Sequence, residues 1–445
     1  MLKRKAFFIG VWFYVDNRRR ERTTTEDHSK SLFLNLSLFQ FLSFLRRGVF
    51  YTFMINYLFT LMQTVTSTAL LGTLNMIAST LGQNLFWGKI ADRYKLRTRL
   101  IIMGETIAAM TYFIVYQIHN ALLNAQANFA AGMAIVFGLS FLEFFWSMSD
   151  VGWAALLADI TTNKSRGRIV GFLNFVASLG RTLGITFAGF LYLNGDGFRQ
   201  GTIFYIVVAM LFTSATIMWI TSRFVRKPSG ETAKTAEENF AQKPRIDYGK
   251  QTYNWFLISL TIIIVGVACV NQVFLLFLKL PTGLNASDPD MSFILTAWTL
   301  AGMVTCLFCG WLTDKIGRAR TLFIGLILAG ITPLLYGATL SVWTMALFYA
   351  VNGVSFWIIQ TAGFTFASDI IPEQERGRLF GRYNAVMALS WGPAGLLVGG
   401  PLADFQTGAG LGAYAAYVNV FYASSLIVAL GTVLFALKVV KKQAS

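Results

Sequence analysis

Residues 158–174 read ADITTNKSRGRIVGFLN and residues 368–384 read SDIIPEQERGRLFGRYN, and the two align without a gap at an offset of 210. Asp159, Ile160, Arg166, Gly167, Arg168, Gly171 and Asn174 recur as Asp369, Ile370, Arg376, Gly377, Arg378, Gly381 and Asn384. A second pair, GKIADRYKLRTR from Gly88 and GWLTDKIGRART from Gly310, aligns at an offset of 222. A longer loop in the first copy absorbs the difference. The chain is therefore two copies of one unit placed in tandem.

What surrounds these motifs is apolar. Of 445 residues, 55% are hydrophobic and only 13% charged, and the mean hydropathy is +0.56. A soluble domain is about one quarter charged, so a water-soluble fold is excluded. Runs of about 20 residues nearly free of charge recur, which is the length a helix needs to cross a bilayer core of roughly 30 Å. Apolar runs ended by charge clusters give twelve spans, near 48–67, 70–90, 99–119, 130–157, 168–193, 201–222, 254–279, 292–312, 321–340, 343–367, 379–400 and 414–437. The expected fold is an all-α polytopic membrane protein, twelve transmembrane helices in two six-helix pseudo-symmetric halves. Its domains are a basic tail and pre-helix over 1–47, a first half over 48–222, a polar linker over 223–253, a second half over 254–438 and a short tail over 439–445.

The net charge of +16 then reads as topology. On a soluble protein it would suggest nucleic acid; here 34 of the 37 Lys and Arg fall on the face shared by both tails and the linker. The opposite loops hold only Arg199 and Lys279, and Arg181 lies inside a span. By the positive-inside rule both termini are cytosolic. The start Lys3-Arg4-Lys5 leads into Arg18-Arg19-Arg20 without a small-residue cleavage site, unlike a secretory signal. The Phe/Leu-rich stretch 32–45 is too short to span before Arg46-Arg47, and so either lies at the interface or leads into the first helix. The cysteines Cys269, Cys306 and Cys309 lie in apolar segments; the CxxC has no second pair and reads as small helix residues.

At this point the sequence resembles the major facilitator superfamily, over 48–438. The signature loop of that family places Gly, three residues, Asp, Arg or Lys, one residue, Gly and then basic residues between the second and third helices. Gly310, Asp314, Lys315, Gly317, Arg318 and Arg320 match it fully. The first copy keeps Gly88, Asp92 and Arg93 but has Lys95 and Leu96 where Gly and Arg are expected. Parallel repeats of this kind build one group of secondary transporters. The resemblance implies that the halves rock about a central site and expose it alternately to each side. Asp92 and Asp314 beside Arg93 and Lys315, Asp159 with Arg166 and Arg168, and Asp369 with Arg376 and Arg378 are then expected to act as cytosolic gate bonds. The alternative is that these charges are only topogenic, although Asp contributes little to orientation.

Charges inside the membrane are the sharper signal, because each costs roughly 2.5 to 3.5 kcal/mol at mid-helix unless it meets a cavity or partner. Four occur in the spans: Glu105, Glu143, Asp150 and Arg181. Glu143 and Asp150 are seven apart and share one helix face, with Trp146, Ser147 and Trp153 on or beside it. Asn174 and Arg181 are likewise seven apart. Through the 210 offset these positions map onto Gly353, Gln360, Asn384 and Trp391, so the charges are confined to the first half. Such asymmetry suggests site chemistry rather than architecture.

In the resembled family the first, fourth, seventh and tenth helices line the cavity, which adds Asn56, Gln63, Asn271, Gln272, Asn352, Trp357 and Gln360. Asp150 or Glu143 is the expected proton-coupling or cation-contacting carboxylate. Arg181 is its expected counter-ion or the contact for an anionic substrate group; a static Asp150/Arg181 pair joining two helices is the alternative. Glu105, near the cytosolic end, reads as structural. Gly180 with Gly184, and Gly395 with Gly399, have the small-xxx-small spacing of close helix contacts. The run from Ser390 to Gly395 resembles the Gly-Pro motif of drug antiporters but sits in the eleventh helix instead of the fifth. No Lys or Arg occurs between Leu100 and Asn163, where those antiporters carry a buried Arg; both departures weaken that assignment.

The expected function is secondary transport of a small molecule, coupled to protons, by a multi-pass protein of the cell membrane in contact with lipid. No cofactor, metal, nucleic-acid partner or enzymatic step is expected, and a monomer suffices. A receptor on the same fold is the rival from another class, and a linker of about thirty residues is short for its signalling domain.

Overall fold

The computed structural model describes residues 22–94, 96–161, 166–223, 249–339, 341–371 and 376–440, without the side chains of 22–30, 92, 166–168, 249–250, 307 and 376–378. Most of the linker and both chain ends lie outside this set. Among the described residues there is no strand, as expected where lipid leaves backbone groups no partner beyond their own helix.

Among the described residues twelve long helical runs follow one another, with a short helix Asp196–Arg199 between the fifth and sixth. In the first half, α1 is Arg22–Tyr51 continued by Met54–Met62, α2 is Val65–Leu81 running through a π-helical stretch Gly82–Trp87 into Gly88–Tyr94, α3 is Arg97–Asn124, α4 is Asn128–Ile160, α5 is Arg166–Leu191 and α6 is Thr202–Thr221. In the second half, α7 is Gly249–Ala268 with Asn271–Lys279, α8 is Asp288–Ile316, α9 is Arg318–Tyr336 and α10 is Val342–Ile370. The chain ends with α11, Arg376–Trp391 continued over Gly395–Gly399 and Gly400–Gly408, and α12, Ala413–Phe435. Nine of these are long and apolar enough to cross a membrane, ten with the bent α8. The remaining two, α1 and α2, are broken or diluted by polar residues.

The duplication in sequence is a duplication in packing. In the first half α1 packs on α5 and α6, α2 on α4, and α3 on α4 and α6; in the second, α7 packs on α11 and α12, α8 on α10, and α9 on α10 and α12. The halves meet through α5 against α8 and α2 against α11.

Small residues make the close contacts, as their spacing predicts. A Cβ on Gly184 would strike the Leu45 carbonyl and the Gly48 backbone, and one on Gly180 the Phe41 carbonyl, so α1 and α5 touch backbone to backbone. A Cβ on Gly399 would likewise strike the Cys269 carbonyl, bringing α11 onto α7. Where α8 turns into α9, Gly317 has φ +92 and ψ 150, a conformation that side chains resist.

The stretch 32–47 is helical and continuous with the helix that follows it. One unbroken helix runs from Arg22 to Tyr51, with Leu36, Phe39 and Leu45 buried against the bundle. Residues 32–45 therefore lead into the first helix, the second of the two readings above, and Arg46 is buried in the protein while Arg47 lines its cavity. Removing them leaves 32 of the 34 Lys and Arg that the sequence groups with the tails and linker.

The two ends of the bundle differ. At the end away from the termini one apolar core runs through both halves, joining Tyr57, Phe198 and Phe204 to Phe274, Phe277 and Phe421. Toward the terminal end the second half has its own cluster around Phe256 and Phe366, and the first half has separate ones around Leu156 and Met148. The halves are fused at the far end and parted at the terminal end.

Candidate functional site

The parting leaves a cavity of about 570 Å³ between the halves. The helical repeat brings Glu143, Trp146 and Asp150 of α4 onto its wall, with Glu143 and Asp150 about 10 Å apart along the axis. From α1 come Arg47, Tyr51 and Ile55, from α2 Asn75 and Ser79, and from α5 Arg181. The second half contributes Asn271, Gln272, Trp298, Tyr349, Asn352 and Trp391.

The ion pair in this cavity differs from the expected one. Asp150 takes Arg47, not Arg181, at 3.3 Å. Arg47 also lies 4.2 Å from the Trp146 ring centroid, and the adjoining Arg46 lies 4.4 Å from it, both within the range of cation–π attraction. Arg46 is 1% exposed. Behind the ring, Trp146 Nε1 donates to Glu105 Oε1 at 2.7 Å and Ser149 Oγ donates to the same oxygen at 2.8 Å. Glu105 is thus a fully buried tie between α3 and α4. Arg181 has no ion-pair or hydrogen-bond partner among the described residues; it is exposed to the cavity, with its backbone against Gly48.

The other expected site residues divide. Asn271, Gln272 and Asn352 line the cavity; Asn352 accepts from Trp298 Nε1 at 3.1 Å and donates to Thr332 Oγ1 at 3.3 Å. Gln360, with Asn384 and Trp391, lines an adjoining cavity of about 660 Å³ between α2, α10 and α11. Asn56 is buried and donates to the Leu275 carbonyl at 3.2 Å, tying α1 to α7. Gln63 does not reach the cavity: it ends α1 in the left-handed region and its amide turns back to Thr60. Trp357 does not either, since its indole lies against Gly302 of α8. Asn174 lines neither cavity.

At the terminal end two of the gate carboxylates pair with arginines at the starts of α3 and α9. Asp159 pairs with Arg97 at 2.8 Å, and Asp369 pairs with Arg318. Arg97 Nη1 also donates to the Ala91 carbonyl at 2.6 Å and Arg318 Nη1 to that of Thr365 at 3.1 Å. Each pair clamps the loop before α3 or α9 to the end of α4 or α10. The first copy, lacking Arg at position 96, uses Arg97 one residue later. The side chains of Asp92, Arg166, Arg168, Arg376 and Arg378, and with them the expected pairs of Asp159 and Asp369, lie outside the described residues. Asp314 is exposed, Lys315 lies 4.8 Å from the Trp311 ring and Arg93 5.5 Å from that of Tyr94. These bonds act within a half.

Bonds between the halves lie nearer the far end. Asp404 of α11 accepts from Val65 N at 2.9 Å and Thr66 N at 2.8 Å, capping the first turn of α2. Asp288 of α8 accepts from Asn194 N at 2.8 Å and from Lys279, which also donates to Asn194 Oδ1 at 2.7 Å. Ser292 Oγ donates to the Ile185 carbonyl at 2.8 Å.

Sequence reasoning missed Arg46, Arg47, Tyr51, Trp298 and Tyr349. The available signal was the apolar run from 32 to 62, which resumes after the arginine pair and is long enough for a helix that tolerates a charge on its inner face.

The profile described as Major Facilitator Superfamily matches residues 36–282 and 258–445. Among curated relatives, Multidrug resistance protein 2 of Bacillus subtilis is 23% identical over 44% of this chain and 46% of its own length. Puromycin resistance protein pur8 of Streptomyces alboniger is 33% identical over 27% and 24%, and Quinolone resistance protein NorA of Staphylococcus aureus 26% over 30% and 33%. The chain thus aligns with less than half the length of these relatives. Solved structures agree in fold: the nucleoside transporter NupG superimposes with TM-score 0.68 at 16% identity, covering 91% of this chain and 99% of that one. A bacterial homologue of the human lysosomal transporter Spinster, inward-facing and unoccupied, gives 0.67 at 15% identity, covering 93% and 98%. The tandem halves, their shared packing and the profile match over nearly the whole chain together show that this multi-pass membrane protein belongs to the major facilitator superfamily of transporters.

Proposed function

We propose that the protein is a proton-coupled secondary transporter that carries a small molecule by alternating access, here open toward the cytosol. The observation that carries this reading is the cavity between halves that share one core at the far end and separate cores at the terminal end. The 32 Lys and Arg that the sequence groups with the tails and linker support a cytosolic orientation of that face, in the cell membrane. Glu143 is the proton carrier: it faces the cavity and holds no ion pair among the described residues, whereas Asp150 is neutralised by Arg47. A carboxylate that binds a proton on one side and loses it on the other couples the gradient to the rocking of the halves. Resistance names among the relatives favour outward carriage, since a compound acting inside a cell is countered by removal. The test is flux in proteoliposomes over a substrate panel, with and without an imposed pH gradient, comparing wild type with Glu143→Gln. Gradient-driven flux in wild type and gradient-indifferent flux in the variant are expected. A substrate carried equally well with and without the gradient by wild type defeats proton coupling.

A further inference from the structure

Arg181 is the residue that the proposed coupling leaves without a role. An arginine inside the bilayer is retained where it meets a partner or a watery cavity. Arg47 has Asp150 and the Trp146 ring; Arg181 has neither an ion pair nor a hydrogen bond among the described residues, yet it faces the cavity. Guanidinium cannot shed its proton at ordinary pH and presents a planar fork that fits a carboxylate or sulfonate in two parallel hydrogen bonds. Around it the wall is aromatic and amide: Trp298, Tyr349 and Trp391, with Asn271 and Gln272. Gln272 Oε1 is buried without a partner. With Glu143 serving the proton, Arg181 is the remaining uncompensated fixed charge of the cavity among the described residues.

We infer that Arg181 is the anchor for the anionic group of an amphipathic organic anion, whose ring system packs on the aromatic wall of the second half. The inference rests on the transport reading, but its test does not. Full-length protein in phosphatidylcholine nanodiscs is titrated with radiolabelled 1-naphthylacetate, which has one carboxylate and a fused ring pair. Unlabelled 1-naphthylacetamide and 1-naphthylmethylamine compete as the neutral and cationic analogues of the same ring. The acid is expected to bind at least about ten-fold more tightly than either analogue. Arg181→Gln should abolish that preference and Arg181→Lys restore part of it, while the amide binds all three proteins alike. The matched ligands on wild-type protein decide the matter even if Arg181→Gln fails to fold. An amine or amide that competes as well as the acid overturns the inference, as does undiminished acid binding by a folded Arg181→Gln. Binding with the expected preference but no flux of the acid in proteoliposomes supports the anchor and counts against the transport reading alone.

Discussion

Arg47 and Asp150 give the strongest quantitative test of the site, because the interaction can be bounded from its geometry. At 3.3 Å two unit charges attract by about 5 kcal/mol at an effective dielectric of 20 and by about 1.3 kcal/mol in bulk water. Both side chains are partly exposed to the cavity, 31% and 41%, so solvent screens the pair and the lower part of that range applies. A coupling of about 1–2 kcal/mol is expected. The measurement is a double-mutant cycle with Arg47→Gln, Asp150→Asn and the double variant, read as reversible unfolding in detergent micelles. Each single change leaves a charge in the protein interior, and the double change removes both, so the double variant should be more stable than the sum of the singles predicts. The same cycle between Asp150→Asn and Arg181→Gln should be additive within about 0.5 kcal/mol. Additivity for Arg47 with coupling for Arg181 would refute the pairing and restore the one the sequence suggested.

Other outcomes follow from the packing and from the far-end bonds. Gly184→Val places carbon atoms against the Leu45 carbonyl and the Gly48 backbone, forcing α1 and α5 apart. A loss of about 1–3 kcal/mol should appear in the same unfolding assay, whereas Gly171→Ala, which meets nothing within 4 Å, should cost little. Asp404→Ala removes both bonds to the first turn of α2. A loss of about 1–2 kcal/mol from the closed far end shifts its equilibrium about 5- to 30-fold. In a chain stripped of its three cysteines, Ile55→Cys should then react faster with a membrane-impermeant thiol reagent added from that side; an unchanged rate would discount the latch. Arg318→Leu should free the Asp369 carboxylate and reduce flux, and Arg97→Leu should do the same through Asp159, in parallel assays of proteoliposome transport.

The architecture was legible because lipid makes it so. Backbone groups in a bilayer must bond within their own helix, and charged loops stay in water, so apolar length and basic clusters trace the path of the chain. Both glycine pairs were legible for a similar reason, since close approach of two backbones demands small residues. The site was less so. The arginine pair at 46 and 47 looked like the end of a tail because a charge ordinarily closes a span. What allows these arginines inside is Trp146, Asp150 and Glu105, 59 to 104 residues away in sequence, and no local pattern announces them. Gln63 and Trp357 were misplaced because a cavity-lining helix has several faces, and only one meets the cavity. Leu96 stands where the signature has Arg, yet Arg97 makes the clamp, because a residue at a helix start can reach a neighbouring carboxylate from either of two adjacent positions.

Among the described residues the four cavity-facing charges, Arg47, Glu143, Asp150 and Arg181, belong to the first half, whereas the facing wall is amide and aromatic. Rocking of the halves leaves distances within a half nearly unchanged, so the Arg47–Asp150 pair can persist in both states and cannot itself sense which side is open. A ligand held by Arg181 and packed on Trp298 or Tyr349 does span the moving boundary, as do the bonds from Asp404 to α2 and from Asp288 to Asn194. On the proposed reading, closure is governed by competition between far-end bonds and ligand contacts across the cavity. Changing the second-half wall should alter turnover without altering which charge is accepted, and changing Arg181 should alter the accepted charge first. On the proposed reading, charge selectivity and conformational control fall to different halves of a duplicated protein, which is what the confinement of intramembrane charge to one copy makes possible.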